Sequence, residues 1–123
     1  MLELTLTEKD GFPVATTKGI LDELAKEPFR EKLHPLVGQK GTRLIVDLSG
    51  SQRVNSPGIG NLVALNADAN TNGSSVVFCN LQPYVAQVLS VTKLDKFFDV
   101  APSLDEAIAR ATKSANPIVV AEV

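Results

Sequence analysis

The residues best suited to chemistry lie in Asn55-Ser56-Pro57-Gly58-Ile59-Gly60, which follows the apolar run Arg43-Leu44-Ile45-Val46-Asp47-Leu48-Ser49. Serine is a favoured helix N-cap because its hydroxyl accepts from an unpaired first-turn N–H. Proline suits the next position, where its missing N–H costs nothing and its φ is already helical. The pattern predicts a strand, a short loop and a helix, with Ser56 just beyond the strand's carboxyl end, where functional groups of α/β sheets gather. A phosphate added there would meet the positive end of the helix dipole and its unpaired amides. The site is suited to tolerate, or to use, a phosphate; the bland reading of the same residue is a plain cap, contributing roughly 1 kcal/mol.

The other reactive side chains support less. Gly58 and Gly60 lack the lysine and full spacing of a nucleotide loop, and read better as small residues that let the helix pack close to the sheet. Asp47 ends its strand near the same edge, where it could hold a loop amide or a cation. Asp22 is either a helix cap or a partner-facing residue. Arg53, three residues before Ser56, could pair with a phosphate or stand solvated. Cys79, inside Ser75-Val76-Val77-Phe78-Cys79-Asn80, reads as a small buried hydrophobe in a strand. His34 is the lone histidine, so no His-based metal cluster exists, and nothing in the spacing brings it to a serine. With no carboxylate pair, metal cluster or activated nucleophile visible, the expectation is a protein that is not an enzyme and needs no cofactor or metal.

The elements that must position Ser56 follow from periodicity. Leu2 to Thr7 alternates as a half-buried strand, Asp10-Gly11 is a turn, and Phe12 to Thr17 is a second strand, with Pro13 suited to an edge or a strand start. Leu24, Phe29, Leu33, Leu36 and Val37 have helical spacing, and Pro28 suggests a regular helix over Pro28 to Val37. Thr42 to Leu48 is nearly all apolar, as in a central strand buried on both faces. The Ser56 helix carries Ile59, Leu62, Val63, Leu65, Ala67 and Ala69 and leaves at Asn70, Asn72 and Gly73. Ser75 to Cys79 is the fourth strand, Pro83 starts a helix with Val85, Val88 and Leu89, and Phe97 to Val100 is a short fifth strand. Ser103 and Glu106 form a capping box for a last helix bearing Leu104, Ala107, Ile108 and Ala111. Ile118 to Val123 is a tail without an assigned element. The order predicts an α/β fold: a mixed sheet of about five strands, an opening hairpin and then parallel strands, with about four helices.

A chain of 123 residues is about one domain, here taken as 1–123. Its 44% hydrophobic and 21% charged residues suit a soluble globular protein, and a net charge of −2 gives no footprint for nucleic acid. No apolar stretch approaches the roughly 18 residues of a membrane span. The opening Met1-Leu2-Glu3-Leu4-Thr5 does not read as a secretory signal, and one cysteine allows no intrachain disulfide, which fits a reducing cytoplasm. The short opening strands leave a sheet edge, so a monomer or weak dimer is expected.

From about Gly11 to Arg110 the chain resembles the STAS domain family, the fold of bacterial anti-sigma-factor antagonists. The strongest piece is Ile45-Val46-Asp47-Leu48-Ser49-Gly50 followed by Val54-Asn55-Ser56-Pro57-Gly58-Ile59-Gly60-Asn61-Leu62, against a family pattern of Asp-Leu, then Asp-Ser-Ser-Gly-Leu-Gly and an apolar helix. Gly19-Ile20-Leu21-Asp22, Leu81 to Leu89, Leu94 to Phe98, and Ser103 to Ala107 resemble further family segments in order. The resemblance implies that Ser56 is phosphorylated by an anti-sigma factor that is itself a serine kinase using ATP. It implies that the unmodified chain binds this kinase, frees the sigma factor, and lets go once phosphorylated. The implied partner surface is Asp22, Arg53, Asn55, Ser56, Pro57, Gly58, Ile59 and Asn61. Two positions depart from the pattern: Asn55 stands where the family has an acid, and Pro57 where it has a second serine. Two other function classes stay open: a STAS module of another signalling or lipid-transport assembly with Ser56 unmodified, and a small enzyme or nucleotide-binding domain.

Overall fold

The computed structural model describes residues 2–115. Its five strands are β1 (Glu3–Lys9), β2 (Phe12–Lys18), β3 (Arg43–Gly50), β4 (Ser75–Cys79) and β5 (Asp99–Ala101). They form one sheet in the order β1-β2-β3-β4-β5, with β1 antiparallel to β2 and the remaining pairs parallel. Four helices accompany them, three as connections, α1 (residues 23–37), α2 (Ser56–Thr71) and α3 (Pro83–Val91), and one after β5, α4 (Leu104–Ala115). The mixed α/β arrangement is the expected one, and the predicted tail at Ile118 to Val123 lies outside the described residues.

Alternation along the strands divides the apolar residues between two layers. Ala15, Leu44, Val46, Leu48, Val76 and Phe78 face α1, α2 and α3, where Phe29, Leu33, Leu62, Leu65, Val85 and Leu89 close the larger core. Val14, Ile45, Val77, Cys79 and Ala101 face the other way, onto Ala107, Ile108 and Ala111 of α4. Leu44, Ile45 and Val46 are therefore buried in succession, as expected for a strand covered on both sides. Cys79 is wholly buried; desolvation, then the nearby Asp47 carboxylate, pushes its thiol up to about 12.

Four features differ from the sequence expectations. The helix expected from Pro28 begins at Glu23, and Pro28 lies within it, ahead of a wider π-turn over Phe29–Leu33. Leu24, expected on the apolar stripe, is exposed because it belongs to the opening turn rather than the packed face. Pro13 sits in an interior strand; parallel pairing to β3 starts only at Val14, so its missing N–H falls just outside the ladder. Phe97 and Phe98 are not in β5, because both their N–H groups donate to Leu94 O at 2.9 Å in a helical turn, and the strand starts at Asp99. The Ser103 cap holds, its hydroxyl accepting from Glu106 N at 3.1 Å.

Candidate functional site

The loop after β3 threads back past the β2–α1 connection before α2 begins. Leu21 and Val54 form a parallel bridge, with Leu21 N donating to Arg53 O at 3.0 Å and Asn55 N donating to Leu21 O at 3.1 Å. Below it, the Thr17 and Ser51 hydroxyls share a hydrogen bond of 2.7 Å, both residues 0% exposed. The start of α2 is pressed against the same connection. A Cβ on Gly58 would fall 1.8 Å from Leu21 O, so only glycine fits there. Asn61 Nδ2 donates to Asp22 O at 3.0 Å and fixes the contact one turn further on. Gly60 has open space around it, so the close-packing role expected of both glycines belongs to Gly58 alone, and the contacted surface is a loop beside the sheet.

The cap of α2 is Asn55, not Ser56. Asn55 has extended backbone, and its Oδ1 accepts from Gly58 N at 2.9 Å. Either residue type can cap; Asn55 takes the position because its own N–H is held by Leu21 O, which sets the chain direction one residue early. Ser56 becomes the first helical residue and Pro57 the second, where a missing N–H still breaks no helical bond. The helix start thus leaves the Ser56 hydroxyl unused, and Ser56 is exposed. It also leaves fewer amides than expected: Pro57 has none and Gly58's is taken, so Ser56's own N–H is the open donor of the first three helical positions.

The other predicted residues surround this point unequally. Arg53 and Pro57 are exposed, Asp22, Ile59 and Asn61 are half-buried, and Gly58 is buried. Asp22 caps the start of α1, its Oδ1 accepting from Leu24 N at 2.9 Å. Asp47 holds a loop amide, accepting from Ser49 N at 2.9 Å. Arg53 places its guanidinium 5.4 Å from the Tyr84 ring centroid, a cation–π arrangement that keeps the charge on the outer surface. His34 lies away from this edge, bonded through Nδ1 to Asp68 Oδ2 at 2.7 Å, where it ties α1 to α2.

Sequence reasoning missed the apolar rim of the site. Ile20, Leu24 and Tyr84 are 51%, 49% and 45% exposed, large for side chains of their kind. Ile20 and Arg53 share a shallow cavity of about 310 Å³ with Gly19, Gly50 and Gln52. Tyr84 comes from the first turn of α3, and Gln82 just before it donates through Nε2 to Ser49 O at 2.7 Å. Only the fold brings α3 to this edge, although an apolar residue directly after a helix-starting proline was a usable signal. Apolar and aromatic side chains exposed around a charged residue are what a protein-binding surface presents.

A mixed sheet of this order, with a serine opening the helix after the central strand, defines a STAS-type interaction fold. Residues 3–107 match the STAS domain family model, and the chain belongs to that family. It is 27% identical over 116 residues to a Bordetella bronchiseptica protein named as an anti-sigma factor antagonist, BtrV, covering 94% of this chain and 99% of that one. Its fold is similar to that of an anti-sigma factor antagonist from Mycobacterium paratuberculosis, with a TM-score of 0.75, 22% identity, and 91% and 95% of the two chains covered. It is also similar to the anti-sigma factor antagonist SpoIIAA in its unphosphorylated form, with a TM-score of 0.72, 21% identity, and coverage of 90% and 97%. No helix among the described residues is long and apolar enough to cross a membrane.

Proposed function

We propose that this chain is an anti-sigma factor antagonist that acts in the cytoplasm by binding an anti-sigma serine kinase, and that phosphorylation of Ser56 releases it. The observation that carries this reading is the division of labour at the head of α2: Asn55 caps the helix, so the Ser56 hydroxyl is exposed and free to be modified. The partner surface is the ring formed by Asp22, Arg53, Asn55, Ser56, Pro57, Gly58, Ile59 and Asn61, widened by Ile20, Leu24 and Tyr84.

The electrostatics support a switch without refolding. A phosphoserine carries about −1.5 to −2 charge, which the positive end of a 16-residue helix tolerates. The same charge set among Ile20, Pro57 and Tyr84 would have to be desolvated under a docked partner, a cost that falls on the complex alone. Arg53 is the nearest cation offered by the loop and would partly neutralise the phosphate. Asn55 in place of the family's acid reduces the negative charge beside Ser56, so the unmodified chain relies more on apolar contact for binding.

Affinity measurements with a candidate anti-sigma serine kinase test the reading. Wild type and Ser56→Ala should bind alike, while Ser56→Asp should bind more weakly. ATP should dissociate the wild-type complex and leave the Ser56→Ala complex intact. Release of Ser56→Ala by ATP would contradict the switch. Pro57 in the place of the second serine favours one alternative, a STAS module that holds its partner without modification; a complex of the wild type unaffected by ATP would select it.

A further inference from the structure

β1 stands at one end of the sheet, with a hydrogen-bonding neighbour on one side only. Its two-residue turn, Asp10-Gly11, makes Lys9 and Phe12 a hydrogen-bonded pair, and such pairs alternate along an antiparallel ladder. The N–H and C=O groups of Leu4, Leu6 and Glu8 therefore turn away from β2. Leu4 O shows this direction, accepting from Lys32 Nζ at 3.4 Å from outside the ladder. A free edge of this kind is a template for another strand. Its sequence, Glu-Leu-Thr-Leu-Thr-Glu-Lys, contains no proline, and Leu6 is 41% exposed.

We propose that two copies of this chain pair antiparallel along β1, about a two-fold axis through Leu6. An axis that joins two such edges runs normal to the sheet, so paired residues share a face and the register centres on one residue. Leu6 is the middle of a seven-residue strand, so this is the one centre that pairs all seven. It sets Leu6 against Leu6, Thr5 against Thr7 and Glu3 against Lys9, the unlike pairs occurring twice by symmetry. Threonine pairs and opposite charges are favourable across antiparallel strands. Moving the centre by one residue leaves Glu3 or Lys9 facing a threonine.

The remaining pair is Leu4 against Glu8, and here α1 contributes. Lys32 already reaches the edge at Leu4 O, which brings its ammonium close to the Glu8 carboxylate of the second copy. Among the described residues neither Glu8 nor Lys32 has an ion-pair partner within 4.0 Å, and the Lys9 ammonium has only the exposed Asp105 carboxylate at 3.7 Å. The edge thus carries charges that answer a second copy of itself. No β1 residue contributes to the Ser56 surface, so the pairing leaves that surface free on both copies.

Sedimentation velocity of the full chain over a wide concentration range, with cysteine cross-linking, tests the proposal. A reversible dimer is expected. Glu3→Lys should weaken it by about tenfold, and Glu3→Lys combined with Lys9→Glu should restore it. Opposed residues in this ladder have Cα atoms about 5.5 Å apart, which suits a disulfide. Leu6→Cys should therefore cross-link on mild oxidation much faster than Thr5→Cys or Thr7→Cys, the native Cys79 being buried. A chain that stays monomeric overturns the proposal. So does a dimer that the charge variants leave unchanged, or one that cross-links equally well from all three positions.

Discussion

Ser51 and Ser56 stand at the two ends of the same loop and differ in burial and in hydrogen bonding. The Ser51 hydroxyl is sealed inside, locked to Thr17 at 2.7 Å, and holds the end of β3 against the end of β2. The Ser56 hydroxyl opens a helix that is already capped by Asn55, so it has no structural duty and faces outward. A buried hydroxyl deprived of its partner is costly, whereas an exposed one is interchangeable with methyl. The loop is pinned at several points, and one serine beside it is left available. Its anchors are Ser51, the Leu21–Val54 bridge and the glycine contact at Gly58, and none of these is the residue proposed to change state.

Substitutions along the loop probe that contrast. The largest effect is expected from Gly58→Ala, whose added methyl would meet the Leu21 carbonyl at 1.8 Å, a backbone group that cannot step aside cheaply. It should cost about 3 kcal/mol or more in chemical denaturation. Ser51→Ala should cost about 2 kcal/mol by the same measurement, since the Thr17 hydroxyl is left buried and unpaired. Asn55→Ala should cost about 1 kcal/mol through loss of the cap, with Ser56 still exposed. Ser56→Ala should shift stability by no more than about 0.5 kcal/mol while abolishing the proposed release by ATP. If Ser51→Ala proves as harmless as Ser56→Ala, the two serines are not divided in the way described.

Much of this arrangement was legible in the sequence. The apolar run Leu44 to Val46 marked a central strand, because only burial on both faces tolerates three such residues in succession. Asp10-Gly11 marked the hairpin, and Ser103 with Glu106 marked the last helix start. The position of the cap was not legible, because Asn55 and Ser56 are comparable cap formers and proline fits either of the next two places. The choice was made by Leu21, which is 34 positions away in the chain and bonds Asn55 N. Ser51 was invisible for a similar reason: in Gly50-Ser51-Gln52 it reads as a solvated loop residue, and only Thr17 of another strand gives its hydroxyl a partner. The rim formed by Ile20, Leu24 and Tyr84 comes from three separate segments that converge only in the folded sheet. Local spacing thus identified elements, while contacts between distant segments set the details of the site.

Incubation of the wild-type chain with a candidate anti-sigma serine kinase and ATP, followed by intact-mass analysis and fragment mapping, decides whether Ser56 is the modified residue. One phosphate per chain is expected, located on Ser56, and none on Ser56→Ala. An unmodified wild-type chain, or a phosphate found on any other residue, would contradict the proposal.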